Sequence, residues 1–159
     1  MAAPLAGVRV LDLTRFLAGP YCTMLLADYG ADVVKLESPE GREFRPPGAK
    51  RDSYFFLSSN RGKRSATLDL RKPEARALFV RILPHFDVLV ENYRPDVMER
   101  FGLPAEKLCE QFPRLIYCGI SGFGPDGPYR LRPGFDQIAQ GMSGFMTVSY
   151  THLTLPTKA

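Results

Sequence analysis

Apolar and polar positions fall in short blocks along the chain, and the first blocks predict a strand followed by a helix. Residues 8–13 are mostly apolar with brief polar interruptions, which is typical of a buried strand. Residues 14–20 break this pattern at Ala18-Gly19-Pro20, and residues 21–29 place apolar side chains at helical spacing. Because α/β folds bind ligands at the carboxyl ends of strands, we expect the turn between them to form one wall of any site.

The same alternation continues to the end of the chain and predicts an α/β fold with a parallel sheet. Further strands are predicted at residues 32–37, 66–70, 88–90 and 115–120. Helices are predicted at residues 73–83, 96–101, 104–111 and 135–146. Residues 38–52 are rich in proline, glycine and charge and predict a long exposed loop, residues 54–57 form a brief aromatic run, and residues 60–65 form a basic turn.

Composition favours a soluble globular protein with a small ligand. The chain has 159 residues, of which 45% are hydrophobic and 24% charged, and this suffices for one domain with its own core. Its net charge of +4 suits an anionic small molecule and is too low for a nucleic-acid surface. No apolar run is long enough to cross a membrane and no secretory signal is visible, so we expect a cytoplasmic protein with no membrane or nucleic-acid partner.

The three cysteines, Cys22, Cys109 and Cys118, are odd in number and lie in apolar contexts. They predict reduced thiols in the core or at its boundary. The residues show no pattern of metal ligands, and we assign His85 no role.

The last residues have an unusual origin in our interpretation. Residues 148–157 read VSYTHLTLPT, and codons that encode this run resemble the end of a common sequencing adapter. We therefore expect residues 1–147 to be native and residues 148–159 to be a non-native tail. A natural β-like tail is the alternative, and sequencing of the genomic locus distinguishes the two.

A series of ordered motifs over residues 4–147 resembles the family III CoA-transferases, also called the CaiB/BaiF family. The motifs are PLAGVRVLDLTRFLAGP at the start, GADVVKLE at 30–37, KRS at 63–65 with LDL at 68–70, DVLVENYRP at 87–95, GFG at 122–124 and PGFD at 133–136. The resemblance implies a Rossmann-like parallel sheet with flanking helices. Because family members are much longer, it also implies that residues 1–147 are the N-terminal part of an incomplete large domain.

The chemistry implied by the resemblance is transfer of CoA between carboxylic acids. An aspartate attacks the acyl-CoA thioester, and an aspartyl-CoA intermediate then passes CoA to an acceptor acid. The resemblance places this aspartate beyond the end of the chain, so we expect no catalytic residue here and no transfer by this fragment alone. It implies acyl-CoA as substrate, no permanently bound cofactor, no metal, and an interlocked homodimer of the full-length protein.

Three departures from the family's pattern refine this expectation. The related α-methylacyl-CoA racemases carry a catalytic histidine where this chain has Phe135, and a phenyl ring cannot deprotonate a carbon, which favours a transferase over a racemase. Leu17 replaces the glutamine of oxalate-using formyl-CoA transferases and argues against that specificity. Ser38 replaces an arginine that contacts adenine in some relatives. A CoA-binding fragment without turnover is the remaining alternative.

The resemblance also implies which residues contact CoA. They are Phe16, Leu17, Ala18, Leu68, Asp69, Leu70, Arg71, Asn92, Tyr93, Arg94, Arg100 and Phe135. Asp136 is a candidate accessory group near the reacting end, with a helix N-cap as its alternative. Ordinary roles stay open for others: residues 16–18 as a turn in the core, Arg100 as a cation at a helix C-terminus, and Lys63 and Arg64 as solvated residues instead of phosphate or sheet-edge contacts near CoA. Asp12 is expected to cap a turn.

Overall fold

Across residues 2–39 and 53–145, which the computed structural model describes, strands and helices alternate as expected. The strands are β1 (Arg9–Asp12), β2 (Asp32–Glu37), β3 (Arg64–Thr67), β4 (Val88–Glu91) and β5 (Ile116–Gly119). The helices are α1 (Ala18–Asp28), α2 (Tyr54–Asn60), α3 (Pro73–Ile82), α4 (Pro95–Arg100), α5 (Ala105–Gln111) and α6 (Asp136–Met142), with a 3₁₀ turn at Leu83–His85.

The strands form one parallel sheet in the order β3-β2-β1-β4-β5. The chain builds outward from β1 through β2 to β3, and then crosses back to place β4 on the other side of β1. This reversal between β1 and β4 is the topological switch point, where open α/β sheets form a crevice at the carboxyl ends of their strands. The predicted Rossmann-like α/β fold with flanking helices is confirmed.

Alternate residues of the strands pack on opposite faces of the sheet, and each face has its own core. Leu11 and Leu89 are fully buried on one face against Phe79 of α3, together with residues of α4 and α5. Val10 and Val90 are buried on the other face, where Leu26 and Ala27 of α1 pack against them. The period-two pattern of β1 therefore decides which helices it contacts.

Several predicted boundaries move in the structure. The first helix begins at Ala18 instead of Tyr21, because Gly19 and Pro20 belong to its first turn, where a proline needs no hydrogen-bond partner for its nitrogen. The third strand ends at Thr67 instead of Leu70, since its parallel partner β2 ends at Glu37, directly opposite Thr67.

Other differences concern residues outside the strands. The aromatic run at residues 54–57 is the first part of helix α2, whose N-cap Ser53 accepts a hydrogen bond from the Phe56 amide. Helix α6 is shorter than predicted at both ends. The three cysteines are free, as expected, but Cys109 is exposed on α5 and not at the core boundary. Residues 40–52 of the predicted loop and the expected tail at 148–159 lie outside the described residues.

Within the described ranges, none of the helices is both long and apolar enough to span a bilayer.

Candidate functional site

A cleft of about 250 Å³ opens at the carboxyl ends of β1 to β4, on the face of the sheet that carries α3 and α4. Its walls come from the residues that follow each strand, so the parallel order of the sheet brings distant segments together. The lining residues are Leu13, Arg15, Leu36, Ser38, Leu68, Asp69, Leu70, Arg71, Tyr93, Val97 and Phe101. Most of this surface is apolar, with two arginines and one carboxylate among it.

The loop between β1 and α1 is fixed by the side chain of Asn92. The Asn92 Oδ1 accepts a hydrogen bond from the Arg15 backbone N–H at 2.7 Å, and its Nδ2 donates to the Arg15 carbonyl at 2.6 Å. Gly19 allows this close approach, because a Cβ there would lie 2.4 Å from the Thr14 Cβ and 3.1 Å from the Asn92 Cγ. The next residue, Phe16, has a φ of 65°, an uncommon conformation for a residue with a side chain.

Tyr93 forms the wall of the cleft beside β4. The Arg15 guanidinium lies 5.3 Å from the centre of its ring, within the range of a cation–π contact. The same ring makes a T-shaped contact with Phe101, and the two ring centroids are 6.5 Å apart. Tyr93 is therefore held between an arginine from the β1–α1 loop and an aromatic residue at the end of α4.

The buried carboxylate of Glu91 supports Tyr93 from beneath the cleft. Its Oε2 accepts from the Tyr93 backbone N–H at 2.7 Å, and its Oε1 accepts from the Tyr117 hydroxyl at 3.2 Å. Burial is the main cause that raises the pKa of Glu91, although both hydrogen bonds oppose the shift. Burial and the neighbouring Glu91 also raise the pKa of Tyr117 above its ordinary range, so the tyrosine stays a neutral donor.

On the opposite wall, Arg71 is paired with Asp69. The Arg71 Nε lies 2.7 Å from Asp69 Oδ1, and its Nη2 donates to Oδ2 at 3.0 Å. These hydrogen bonds are the main cause that lowers the pKa of Asp69 from its ordinary value. The pair therefore presents a neutralised rim to the cleft, together with the side chains of Leu68 and Leu70.

The structure brings some of the expected CoA contacts to this cleft and places the others elsewhere. Leu68, Asp69, Leu70, Arg71 and Tyr93 line it, whereas Asn92 lies behind it as the clamp on Arg15. The remaining expected contacts, which do not line the cleft, are Phe16, Leu17, Ala18, Arg94, Arg100 and Phe135.

Two of these remaining residues meet one another. Phe16 and Phe135 make a T-shaped contact at 5.8 Å, so the N-terminus of α6 lies beside the β1–α1 loop. Both rings are about half exposed and form a separate aromatic pair next to the cleft. Asp136 is not the helix cap, since Phe135 occupies that position; its carboxylate instead accepts from the Gln140 side chain at 2.7 Å.

Arg94 and Arg100 share one carboxylate at the exposed side of α4. Arg94 Nε lies 3.7 Å from Asp96 Oδ1, and Arg100 Nη2 lies 3.3 Å from Asp96 Oδ2. Arg100 is also the basic residue of the last turn of α4, which fits its ordinary explanation as a cation at a helix C-terminus.

The face of the sheet that carries α1 holds a buried polar network. Lys63 is 1% exposed in its side chain and pairs with the fully buried Asp12 at 2.9 Å. The same Nζ donates to the Pro20 carbonyl and the Asn60 side chain, and Asp12 also accepts from Thr23 and from the Thr14 amide. Asp12 thus caps a turn, as expected, but the solvated role considered for Lys63 is wrong, because its side chain is buried and its ammonium group is bonded to protein acceptors.

Sequence reasoning missed Arg15, Val97 and Phe101 as lining residues. Arg15 lies within the opening motif, three residues after the end of β1, and this place near the carboxyl end of a strand is the available signal. Val97 and Phe101 lie four residues apart on and after α4, so one helix face carries both; their place over β4 depends on tertiary packing that no local pattern encodes.

Comparisons with known proteins agree with the sequence motifs. A family model described as CoA-transferase family III matches residues 5–159. A succinate–glutarate CoA-transferase of Agrobacterium fabrum is 45% identical over 98% of this chain and 42% of its own length. The beta subunit of a succinyl-CoA–L-malate CoA-transferase of Chloroflexus aurantiacus is 46% identical over 89% of this chain and 36% of its own length.

Solved structures give the same result. The crystal structure of a CaiB/BaiF family protein from Brucella suis matches with a TM-score of 0.84 and 44% identity, covering 92% of this chain and 40% of that one. The chain thus spans about two fifths of the length of the relatives it matches. Its motifs, its sheet order and its similarity over nearly all residues lead to one conclusion: the chain belongs to CoA-transferase family III.

Proposed function

We propose that the chain is the CoA-binding N-terminal part of an acyl-CoA:carboxylate CoA-transferase, with residues 1–147 as the native part. One observation carries the proposal. In a member of this family, the segment Leu68 to Arg71 and Tyr93, both expected to contact CoA, converge on one cleft at the switch point of the sheet. A mostly apolar cleft with a few polar groups suits a long ligand that has a heterocycle, an apolar arm and charged phosphates.

The reaction we propose runs through a carboxylate of the complete enzyme. An aspartate attacks the thioester carbonyl, the carbon–sulfur bond breaks, and CoA thiolate leaves a mixed anhydride. The thiolate then attacks the aspartyl carbonyl, which releases the donor acid and forms an aspartyl-CoA thioester. The acceptor carboxylate reverses these steps and leaves as its own CoA thioester, with backbone amides stabilising each oxyanion. The family resemblance implies that the nucleophilic aspartate belongs to another part of the complete enzyme, so we propose that this chain contributes CoA binding and not turnover.

Dicarboxylic acids are the substrates we propose for the complete enzyme. The relatives described above are named for succinate, glutarate and malate. Leu17 at the β1–α1 loop offers no polar contact to oxalate, and Phe135 offers no base for a racemase. A racemase-like activity is therefore disfavoured.

Thioester exchange tests this function. The product of the complete reading frame is incubated with succinyl-CoA and glutarate, malate or oxalate, and new CoA thioesters are separated by chromatography. We expect exchange with glutarate or malate and little with oxalate. Absence of exchange with every donor and acceptor, by a protein that still binds CoA, would leave only the binding function.

A homodimer of the complete enzyme is part of the proposal. Leu17, Tyr21, Leu25 and Tyr29 follow one another at four-residue spacing along α1, and each is more than a third exposed. Such a stripe on a helix ordinarily packs against another element. We expect the complete protein to elute as a dimer and the 159-residue chain to aggregate; a monodisperse, cooperatively melting 159-residue monomer would contradict this.

A further inference from the structure

Among the residues that the structure describes, two arginines line the cleft, and their surroundings differ. Arg71 is neutralised by two hydrogen bonds to Asp69 on the same wall. Arg15 has no carboxylate partner among the residues that the structure describes, and its side chain contacts the ring of Tyr93. Arg15 is also half-buried, whereas the Arg71 side chain is 55% exposed. The cleft therefore contains one compensated cation and one uncompensated cation.

An uncompensated cation in a mostly apolar cleft is costly unless an anion meets it. A guanidinium that lies over an aromatic face can still offer its N–H groups to acceptors in its own plane, and this geometry suits the oxygens of phosphates and carboxylates. The ring of Tyr93 thus orients Arg15 without satisfying its hydrogen-bonding capacity.

The backbone of Arg15 is held more firmly than that of an ordinary loop residue. Asn92 bonds both its N–H and its carbonyl, at 2.7 and 2.6 Å, in the manner of a strand partner. Since Asn92 and Tyr93 are consecutive, one segment after β4 fixes both the backbone of Arg15 and the ring beneath its guanidinium.

We propose that Arg15 binds an anionic oxygen of the acyl-CoA substrate in this cleft, and that Asn92 is the positioning residue that holds it there. The inference depends on the proposed function, because it names the group in the chain that receives the negative charge of that substrate. The oxygen belongs to a phosphate of CoA or to the free carboxylate of a dicarboxylic acyl group.

Isothermal titration of the complete gene product tests the role of Arg15. Arg15→Gln removes the charge, Arg15→Lys keeps the charge but loses the planar fork, and Arg81→Gln is the matched control. Arg81 is exposed on α3 and does not line the cleft, so its replacement makes the same change in net charge. Circular dichroism of each variant confirms that it is folded.

Loss of a charge-assisted hydrogen bond should weaken binding of succinyl-CoA, which carries every candidate oxygen, to Arg15→Gln by about 10- to 100-fold. Arg15→Lys should lose less, and Arg81→Gln should bind as wild type. The dissociation constant of Arg15→Gln should also depend less on salt than that of wild type, because one ionic contact is missing. A merely structural role would not change that dependence.

The choice of ligand identifies the oxygen. A loss seen with CoA but not with dephospho-CoA indicates the 3′-phosphate, and an equal loss with both indicates the diphosphate. A loss confined to succinyl-CoA, with acetyl-CoA unaffected, indicates the acyl carboxylate. Wild-type affinity of Arg15→Gln for all four ligands overturns the inference while the proposed function stands. A wild-type protein that binds none of them overturns the proposed function itself.

Discussion

At the carboxyl end of β1, the two faces of the sheet carry different structures: a closed polar network on one face and an open cleft on the other. On the face that carries α1, Asp12 and Lys63 form a closed network in which each polar atom meets protein partners. On the opposite face, Leu13 and Arg15 line an open cleft, and the described residues place an aromatic ring but no paired carboxylate beside the Arg15 guanidinium. Neighbouring residues of one strand and its loop thus face the interior on one side of the sheet and an open cleft on the other.

This difference shows that the surroundings of a charge, and not its presence, indicate a site. A buried ion pair whose two groups both make further hydrogen bonds within the protein has no capacity left for a substrate. A half-buried arginine without a carboxylate retains that capacity. We therefore propose that the buried Lys63 of the basic motif serves the folding of the domain and that Arg15 serves its function.

Replacement of Lys63 should give the largest effect on stability. Lys63→Met leaves Asp12 buried without its cation, and we expect the free energy of unfolding to fall by about 3–5 kcal/mol. Lys107→Met, at an exposed position on α5, is the control and should change it by less than about 0.5 kcal/mol. Urea unfolding measures both, and equal effects would show that the network is not closed.

Removal of the Asn92 side chain, which bonds the backbone of Arg15, should have an intermediate effect on stability and should also weaken CoA binding. Asn92→Ala loses two hydrogen bonds to Arg15, so we expect about 1–3 kcal/mol less stability and weaker CoA binding. If Asn92 acts through Arg15, the same substitution in an Arg15→Gln background should weaken CoA binding little further. Additive losses of affinity in the double variant would argue for direct contact between Asn92 and the ligand.

Glu91 provides a test that depends on pH. Because burial raises the pKa of Glu91 in the folded protein above its ordinary value of 4.5, the folded state binds this proton more tightly than the unfolded chain. Its contribution to stability is therefore greatest below pH 4.5 and is lost as the pH rises through the raised value. Glu91→Gln should lose this decline with pH, whereas Glu99→Gln, exposed on α4, should retain it. Identical pH profiles of stability for Glu91→Gln and wild type would show that Glu91 does not cause this decline.

The smallest effect is expected at Arg64, next to Lys63 in the basic motif. Its guanidinium pairs with Asp32, and both side chains are largely exposed at 68% and 46%. Arg64→Gln should therefore lower stability by less than about 1 kcal/mol and leave CoA affinity unchanged. A clear loss of CoA affinity in this variant would return the phosphate role to the basic motif.

Local patterns were sufficient for the elements and for part of the site. The alternation in β1 predicted a buried strand, and Pro73 and Gly102 marked a helix start and a helix end that the structure keeps. The resemblance predicted that Leu68 to Arg71 and Tyr93 contact CoA, and they meet in one cleft. Each of these signals lies within a short segment, so the sequence alone is enough to predict the corresponding element or contact.

The features that local patterns do not predict depend on contacts between residues far apart in the sequence. Lys63 and Asp12 are 51 residues apart, and Asn92 and Arg15 are 77 residues apart. Whether a lysine faces solvent or a buried carboxylate follows from the order of the strands and the register between them, which periodicity does not specify. For this reason sequence patterns predict Lys63 at the surface or at a phosphate and do not single out Arg15.

Amide hydrogen exchange of the complete gene product, with and without saturating CoA, tests whether CoA binds in the cleft and not at the basic motif. We predict that CoA slows exchange in peptides that cover residues 13–16, 68–71 and 93–97, which surround the cleft, and leaves residues 60–64 on the other face unchanged. Protection confined to residues 60–64, or no protection at the cleft by CoA at saturating concentration, would contradict the account.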